Sequence, residues 1–315
     1  MAPLTPFRKP QAVRPGDSVA VIAPAGPFDR ASFDAGLAVI SGRYRVQYDE
    51  RILARERYLA GDDNRRLAEL TGALADPDIK AVFCARGGYG TMRLLPKLAA
   101  WAAERAVPAK PLVGFSDITA LHQWLQNNGL VSIHGPVLTQ LGRVPSATRL
   151  LSLLESASAA EPLVGTETYV GGIAEGPLLG GNLSVLTRLL GTPFMPALTG
   201  GILLLEDHSE QPYRLDRMWT HLELAGVFRQ LRGIVLGEFL SCEPRDQDYT
   251  AAEVLRDLAT ATGLPCAAGF PIGHGNINEP VPLGVRVRLD ANAKQLTFLE
   301  AAVTVTPTRI AQRVT

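Results

Sequence analysis

Cysteine is scarce: the 315 residues hold three, Cys84, Cys242 and Cys266, and no two of them form a Cys-x-x-Cys pair. An odd, dispersed set excludes a disulfide framework and a thiolate zinc site, and it fits a reducing compartment. Net charge is missing too. The 31 Lys and Arg balance 31 Asp and Glu, so the chain lacks the bulk charge that follows phosphates or anionic lipid. Neither nucleic acid nor a membrane surface is an expected partner. No apolar run approaches the roughly 18 residues needed to cross a bilayer. Residues 1–17 carry prolines and scattered basic side chains where a secretory signal would have a continuous apolar core, so the expected location is cytoplasmic. No His-x-x-x-His spacing or His-Glu pairing on one element suggests a metal site.

What is present describes an ordinary globular chain. At 46% hydrophobic and 20% charged residues it is too apolar for disorder, and its length suits two domains or one large α/β domain. The first half alternates short apolar runs with amphipathic stretches, the pattern of a mostly parallel sheet covered by helices. Strands are expected at residues 18–22, 81–84, 111–115 and 131–133, with helices at 61–76 and 118–126. Each strand ends in a polar or glycine-rich turn, where open α/β sheets place their ligands. Between about residues 146 and 175 a short Leu-rich helix gives way to Ala, Ser, Glu and Pro without firm period. The expected division is therefore 1–150, a connection at 151–175, and 176–315. In the second half Gly180-Gly181-Asn182 opens a Leu-rich helix, strands are expected at 201–205 and 234–239, and a helix at 215–228. Residues 285–289 alternate with period two and could form a hairpin with 295–299, so this half is mixed, with more antiparallel character.

Four features could carry chemistry. Ser116, in Gly114-Phe115-Ser116-Asp117, sits where a buried strand turns into a helix; such a serine is either an exposed nucleophile or a helix cap. The Gly-x-Ser-x-Gly signature is incomplete, because Ile118 replaces its last glycine. The loop Arg86-Gly87-Gly88-Tyr89-Gly90 could point backbone N–H groups at an anion, or be a plain turn; it matches neither a dinucleotide fingerprint nor a P-loop. Glu206 and Asp207 end a buried strand on opposite faces, so one could orient a histidine while the other caps or meets solvent. His274 lies between glycines in a turn-like segment suited to proton exchange. His134 and His208 are its understudies, while His122 and His221 fall in expected helices. Cys84, at a strand end, reads as a second possible nucleophile or as a small buried residue.

The ordered set Arg86-Gly-Gly-Tyr-Gly90, Gly114-Phe-Ser-Asp-Ile-Thr119, Gly180-Gly-Asn-Leu183, Leu205-Glu-Asp207 and Gly273-His-Gly-Asn276 resembles the LD-carboxypeptidase family of serine peptidases. The likeness runs from about Gly16 to about Glu300. It implies an N-terminal parallel-sheet α/β domain and a smaller β-rich α+β C-terminal domain, with the active site in the cleft between them. It also implies a triad of Ser116, Glu206 and His274, with Asp207 pointing away, and an oxyanion hole from the backbone N–H groups of Gly88 and Asp117. Asn182, Arg86 and Tyr89 become candidate substrate contacts. Neither metal nor cofactor is implied, and a homodimer is. The implied substrate is a murein tetrapeptide, cut between diaminopimelate and the terminal D-alanine. Alternatives are hydrolysis of a microcin C-type peptidyl-adenylate and a non-catalytic muropeptide-binding protein. The microcin-immunity branch tends to carry a lysine where this chain has Glu210, which tilts the reading toward cell-wall peptide.

Overall fold

The computed structural model describes residues 6–244 and 248–305. Its first sheet contains β1 (Ser18–Ile22), β2 (Arg45–Gln47), β3 (Ile79–Cys84), β4 (Leu112–Gly114) and β5 (Ser132–His134), all parallel. Except for the edge strand β2, these are almost continuously buried, because helices cover both faces and leave no solvent side to alternate with. The helix Asp63–Ala75 shows how local chemistry sets the boundaries. Asp62 caps it by accepting from Asn64 N–H and Arg65 N–H, and Leu70, Ala73 and Leu74 turn into the core.

The second sheet follows with β6 (Leu163–Val164), β7 (Glu167–Val170), β8 (Ile173–Asn182), β9 (Ile202–His208), β10 (Gly233–Leu240) and β11 (Cys266–Ala268). After β12 (Val281–Leu283) it is completed by the hairpin of β13 (Arg286–Asp290) and β14 (Gln295–Phe298). The order across it is β6-β14-β13-β8-β9-β10-β11-β7. The four central strands β8 to β11 are parallel, and the antiparallel strands flank them.

Three observations go beyond the pattern expected from sequence. Gly180-Gly181-Asn182 opens the helix Leu183–Arg188, which Asn182 caps by accepting from Val185 N–H, and it also ends the ten-residue β8, because Gly180, Gly181 and Asn182 pair with Leu204, Leu205 and Glu206 of β9. Residues 151–175 hold the end of the helix Ala147–Glu155, the strands β6 and β7, and the start of β8. The strand β12, from late in the chain, joins the first sheet antiparallel to β5. It lies at the edge of that sheet, where Pro282 removes no needed ladder donor. Among the described residues no helix is long and apolar enough to cross a membrane.

Candidate active site

Ser116 follows β4 by two residues with φ at +63°, a left-handed conformation unusual for a side chain with a Cβ. Such strain persists only where the surroundings enforce it. The residue opens a single 3₁₀ turn, Ser116–Ile118, which runs into the helix Thr119–Asn127. No side chain caps this turn, so of the two roles open to Ser116 the hydroxyl does not take the capping one. The glycine loop packs on it: a Cβ at Gly87 would lie 3.0 Å from Ser116 Cβ and 3.2 Å from its Oγ. Gly88 holds φ at +106°, which favours glycine. Gly26 N–H donates to the Gly87 carbonyl at 3.0 Å and fixes the direction of that peptide.

The Asp117 side chain locks the two loops together. Its buried carboxylate accepts from Thr91 N–H and from the Thr91 hydroxyl, both at 2.9 Å. Burial pushes its pKa up against the Thr91 hydrogen bonds, which lower it. Arg66 braces the same loop from below. It is wholly buried, and its guanidinium donates to the carbonyls of Pro24 and Gly90 and to Asp63. Sequence reasoning missed both braces, since Asp117 was of interest for its backbone N–H and Arg66 stands in no motif.

Glu206 and His274 meet from the other sheet. His274 Nδ1–H donates to Glu206 Oε2 at 2.7 Å. The histidine loop is closed by Gly273 N–H donating to Asn278 Oδ1 at 3.1 Å. Burial lowers the His274 pKa, but the hydrogen bond and charge of Glu206 outweigh it and hold the imidazole above its ordinary value. Glu206 is wholly buried. Burial pushes its carboxyl up; the imidazoles of His134 and His274 overcome this and bring it to about 2. The Phe115 ring lies 4.7 Å from that of His274, and His208 stacks on His274 at 5.0 Å. Below β4, His122 Nε2–H donates to the Gly114 carbonyl at 2.7 Å while Ser132 donates to Nδ1. Burial, then the nearby His134, brings the His122 pKa down to about 3 and keeps the ring neutral.

Ser116 and His274 line one cleft of about 590 Å³, together with Arg86, Gly88, Tyr89 and Asp117. Among the described residues no hydrogen bond joins the Ser116 hydroxyl to the His274 ring. Asp207 turns from His274 to the helix Leu183–Arg188, accepting from Ser184 N–H at 2.8 Å and from His208 N–H at 2.8 Å. Burial, then the Glu206 charge, pushes Asp207 up to about 6. Asn182 also lines the cleft, but its side chain is occupied: Oδ1 accepts from Val185 N–H at 3.1 Å, and Nδ2 donates to Asp207 at 3.2 Å. Arg86 donates to the Pro27 carbonyl, and Tyr89, 45% exposed, meets Tyr58 edge-on. Gln140 and Arg188 line the cleft and were not found from sequence, since neither stands in a recognisable motif. Cys84 is wholly buried in the first core, and burial pushes its thiol far up, the opposite of an activated nucleophile.

The LD-carboxypeptidase N-terminal domain matches residues 19–135 and the LD-carboxypeptidase C-terminal domain residues 175–289. The murein tetrapeptide carboxypeptidase of Pseudomonas aeruginosa is 38% identical over 293 residues, covering 87% of this chain and 93% of that protein. The crystal structure of muramoyltetrapeptide carboxypeptidase from Oxalobacter formigenes aligns with TM-score 0.77 at 31% identity, over 89% of this chain and 97% of that one. The microcin C7 self-immunity protein in its wild-type apo state aligns with TM-score 0.84 over 94% of this chain and 100% of that one, at 22% identity, a likeness of fold. With both halves of the family matched in order, on the sheets that bring Ser116 and His274 to one cleft, the chain belongs to the LD-carboxypeptidase family and is a serine-type hydrolase.

Proposed function

We propose that the chain removes the terminal D-alanine from a murein tetrapeptide, cutting its bond to diaminopimelate, with Ser116, His274 and Glu206 as the triad. The observation that carries this is the 2.7 Å bond from His274 to a fully buried Glu206, opening on the cleft that holds the strained Ser116. Because Nδ1 is engaged by Glu206, His274 Nε2 is left as the base. Catalytic hydrogen bonds are often long without substrate and tighten when it binds.

In the first half-reaction Ser116 Oγ bonds to the scissile carbonyl carbon as His274 Nε2 takes the hydroxyl proton. The backbone N–H groups of Gly88 and Asp117 donate to the oxyanion of the tetrahedral intermediate. The C–N bond then breaks, the amine of D-alanine leaves with the proton from His274, and an acyl-serine remains. Water attacks that ester, with His274 again the base, and Ser116 is restored. Glu206 holds the imidazole tautomer and stabilises the imidazolium formed in both steps. The cleft has the volume of a small-molecule site, and Arg86 and Arg188 line it, in keeping with a substrate rich in carboxylates.

Purified protein incubated with the tetrapeptide should release free D-alanine, and Ser116→Ala should release none above background. A folded protein that leaves the tetrapeptide intact would refute the substrate. A peptidyl-adenylate offered alongside it separates the reaction of the immunity protein, which is 27% identical in sequence where the murein tetrapeptide carboxypeptidase of Pseudomonas aeruginosa is 38% identical.

A further inference from the structure

His134 is a buried titratable group that the mechanism leaves unused. It ends β5, is wholly buried, and among the described residues neither ring nitrogen has a hydrogen-bond partner. Among the buried polar atoms of the described residues that likewise have no partner is Oε1 of Glu206, which faces His134 Nε2 at 3.8 Å. Two such polar atoms facing each other in a buried interior are costly to leave apart, and closing the gap to a normal hydrogen bond takes less than about 1 Å. A carboxylate only accepts, so the pairing requires a proton on His134 Nε2. The ring is held in that direction by Phe115, edge-on at 5.9 Å, and by His122 at 6.1 Å. The backbone of His134 is held by pairing with Val281.

We propose that His134 is a positioning residue for the hydrolysis: from the nucleophile's own sheet, its Nε2–H holds the second oxygen of Glu206, so that the first is aimed at His274. This rests on the triad reading above and adds a fourth member that touches neither substrate nor the reacting atoms. The arrangement has a consequence for protons. A buried carboxylate facing a neutral His274 needs this donor more than one already facing an imidazolium. Removing the donor therefore makes the Glu206–His274 pair hold its proton more tightly. Asp207, Glu238 and His208 also face this pair, and His122 faces His134. All four stay in place when only His134 is changed.

The test compares His134→Phe, which fills the volume without a donor, with His134→Gln, whose amide nitrogen reaches about as far as Nε2. D-alanine release from the tetrapeptide is measured against pH, and the His274 imidazole is titrated by NMR in the same proteins. In H134F the His274 titration and the acid limb of kcat/KM should both move up by about one pH unit, a roughly tenfold change in proton affinity. Its kcat should fall about ten- to a hundredfold. KM should stay near the parent value, because His134 does not line the cleft. H134Q should return both readouts toward the parent. A folded H134F with the parent titration and kcat overturns the proposal, and so does an equal loss in H134Q with no movement of the pH profile. Should H134F not fold, His134→Asn replaces it: its shorter amide cannot reach Glu206, so it should show the shift that H134Q lacks, and its absence is equally decisive. If the parent protein releases no D-alanine, the substrate reading fails, while the NMR titration still decides the role of His134.

Discussion

Replacing Glu206 by glutamine separates the charge of the proposed triad carboxylate from its shape. In the parent protein His274 is held above its ordinary pKa because the hydrogen bond and charge of Glu206, joined by the charges of Asp207 and Glu238, outweigh burial. The sign follows directly. As pH falls through that raised value the imidazole takes a proton, can no longer accept one from Ser116, and kcat/KM drops. In E206Q the charge is gone while the burial remains, so the imidazole should titrate lower and the acid limb should shift to lower pH. Two unit charges about 4 Å apart interact by about 4 kcal/mol at an effective dielectric of 20, a ceiling of about 3 pH units. The glutamine dipole and local relaxation recover part of this, so a downward shift of about 1–2 units is expected.

The same substitution removes stabilisation of the imidazolium in the transition state and no longer enforces the tautomer. Loss of the carboxylate charge in a chymotrypsin-type triad costs about 10⁴ in kcat, and a fall of about 10² to 10⁴ is expected here. E206Q is thus predicted to be much slower yet active to lower pH, a combination that simple misfolding does not produce. Rates of D-alanine release from about pH 5 to about pH 9, with a thermal melt to establish folding, measure both effects. An acid limb that stays in place or moves up, or a kcat within tenfold of the parent, would refute the reasoning. Because H134F should move the same limb in the opposite direction, the two variants together distinguish the charge of the carboxylate from its support.

Gly87→Ala should cut kcat about ten- to a hundredfold with little change in melting temperature, since its methyl group would press on Ser116 Cβ and Oγ and small misplacements of a nucleophile are costly; unchanged kcat would show that the loop gives way freely. Thr91→Val leaves a buried Asp117 carboxylate without its hydroxyl partner. Calorimetry should show a loss of about 1–3 kcal/mol, and no loss would mean the contact is idle. Arg66→Lys keeps the charge but not the fork that reaches the Pro24 and Gly90 carbonyls and Asp63. Its melting temperature should drop by several degrees, at roughly 2–4 °C per kcal/mol.

Much of the first sheet was legible because its strands are short apolar runs punctuated by turns, and the helix Asp63–Ala75 carries its own cap and stop. Elements whose stability comes from distant partners were not legible. Val281-Pro282-Leu283 has no strand pattern of its own and becomes β12 by pairing with His134, Ile133 and Ser132. Gly180 and Gly181 have low strand propensity and extend β8 because β9 supplies the ladder. The site divides in the same way. Ser116, Glu206 and His274 stand in short motifs at the ends of elements, where chemistry-bearing residues are expected. The pairing of Asp117 with Thr91, and the position of His134 opposite Glu206, depend on contacts between segments far apart in sequence.

This division explains why the site is built with so many buried polar contacts across the two sheets. The proposed nucleophile on one sheet and its proposed base on the other can be misaligned by any sliding between them, and apolar packing alone is nondirectional. Directional bonds resist that sliding. Asn182 N–H, at the end of β8, donates to Thr119 Oγ1 at 3.0 Å, and Gln123 Nε2 donates to the Gly180 carbonyl at 2.8 Å. Both acceptor and donor side chains lie on the helix that begins just after Ser116, so the second sheet is pinned to the helix that follows this serine. β12, five residues beyond Asn276 of the histidine motif, is woven into the first sheet. The histidine loop therefore runs between β11 of one sheet and β12 of the other. Relative movement of the sheets would have to break these buried bonds, each costly to leave unmet, and it is this cost that would let the proposed relay be assembled from segments so far apart in the chain.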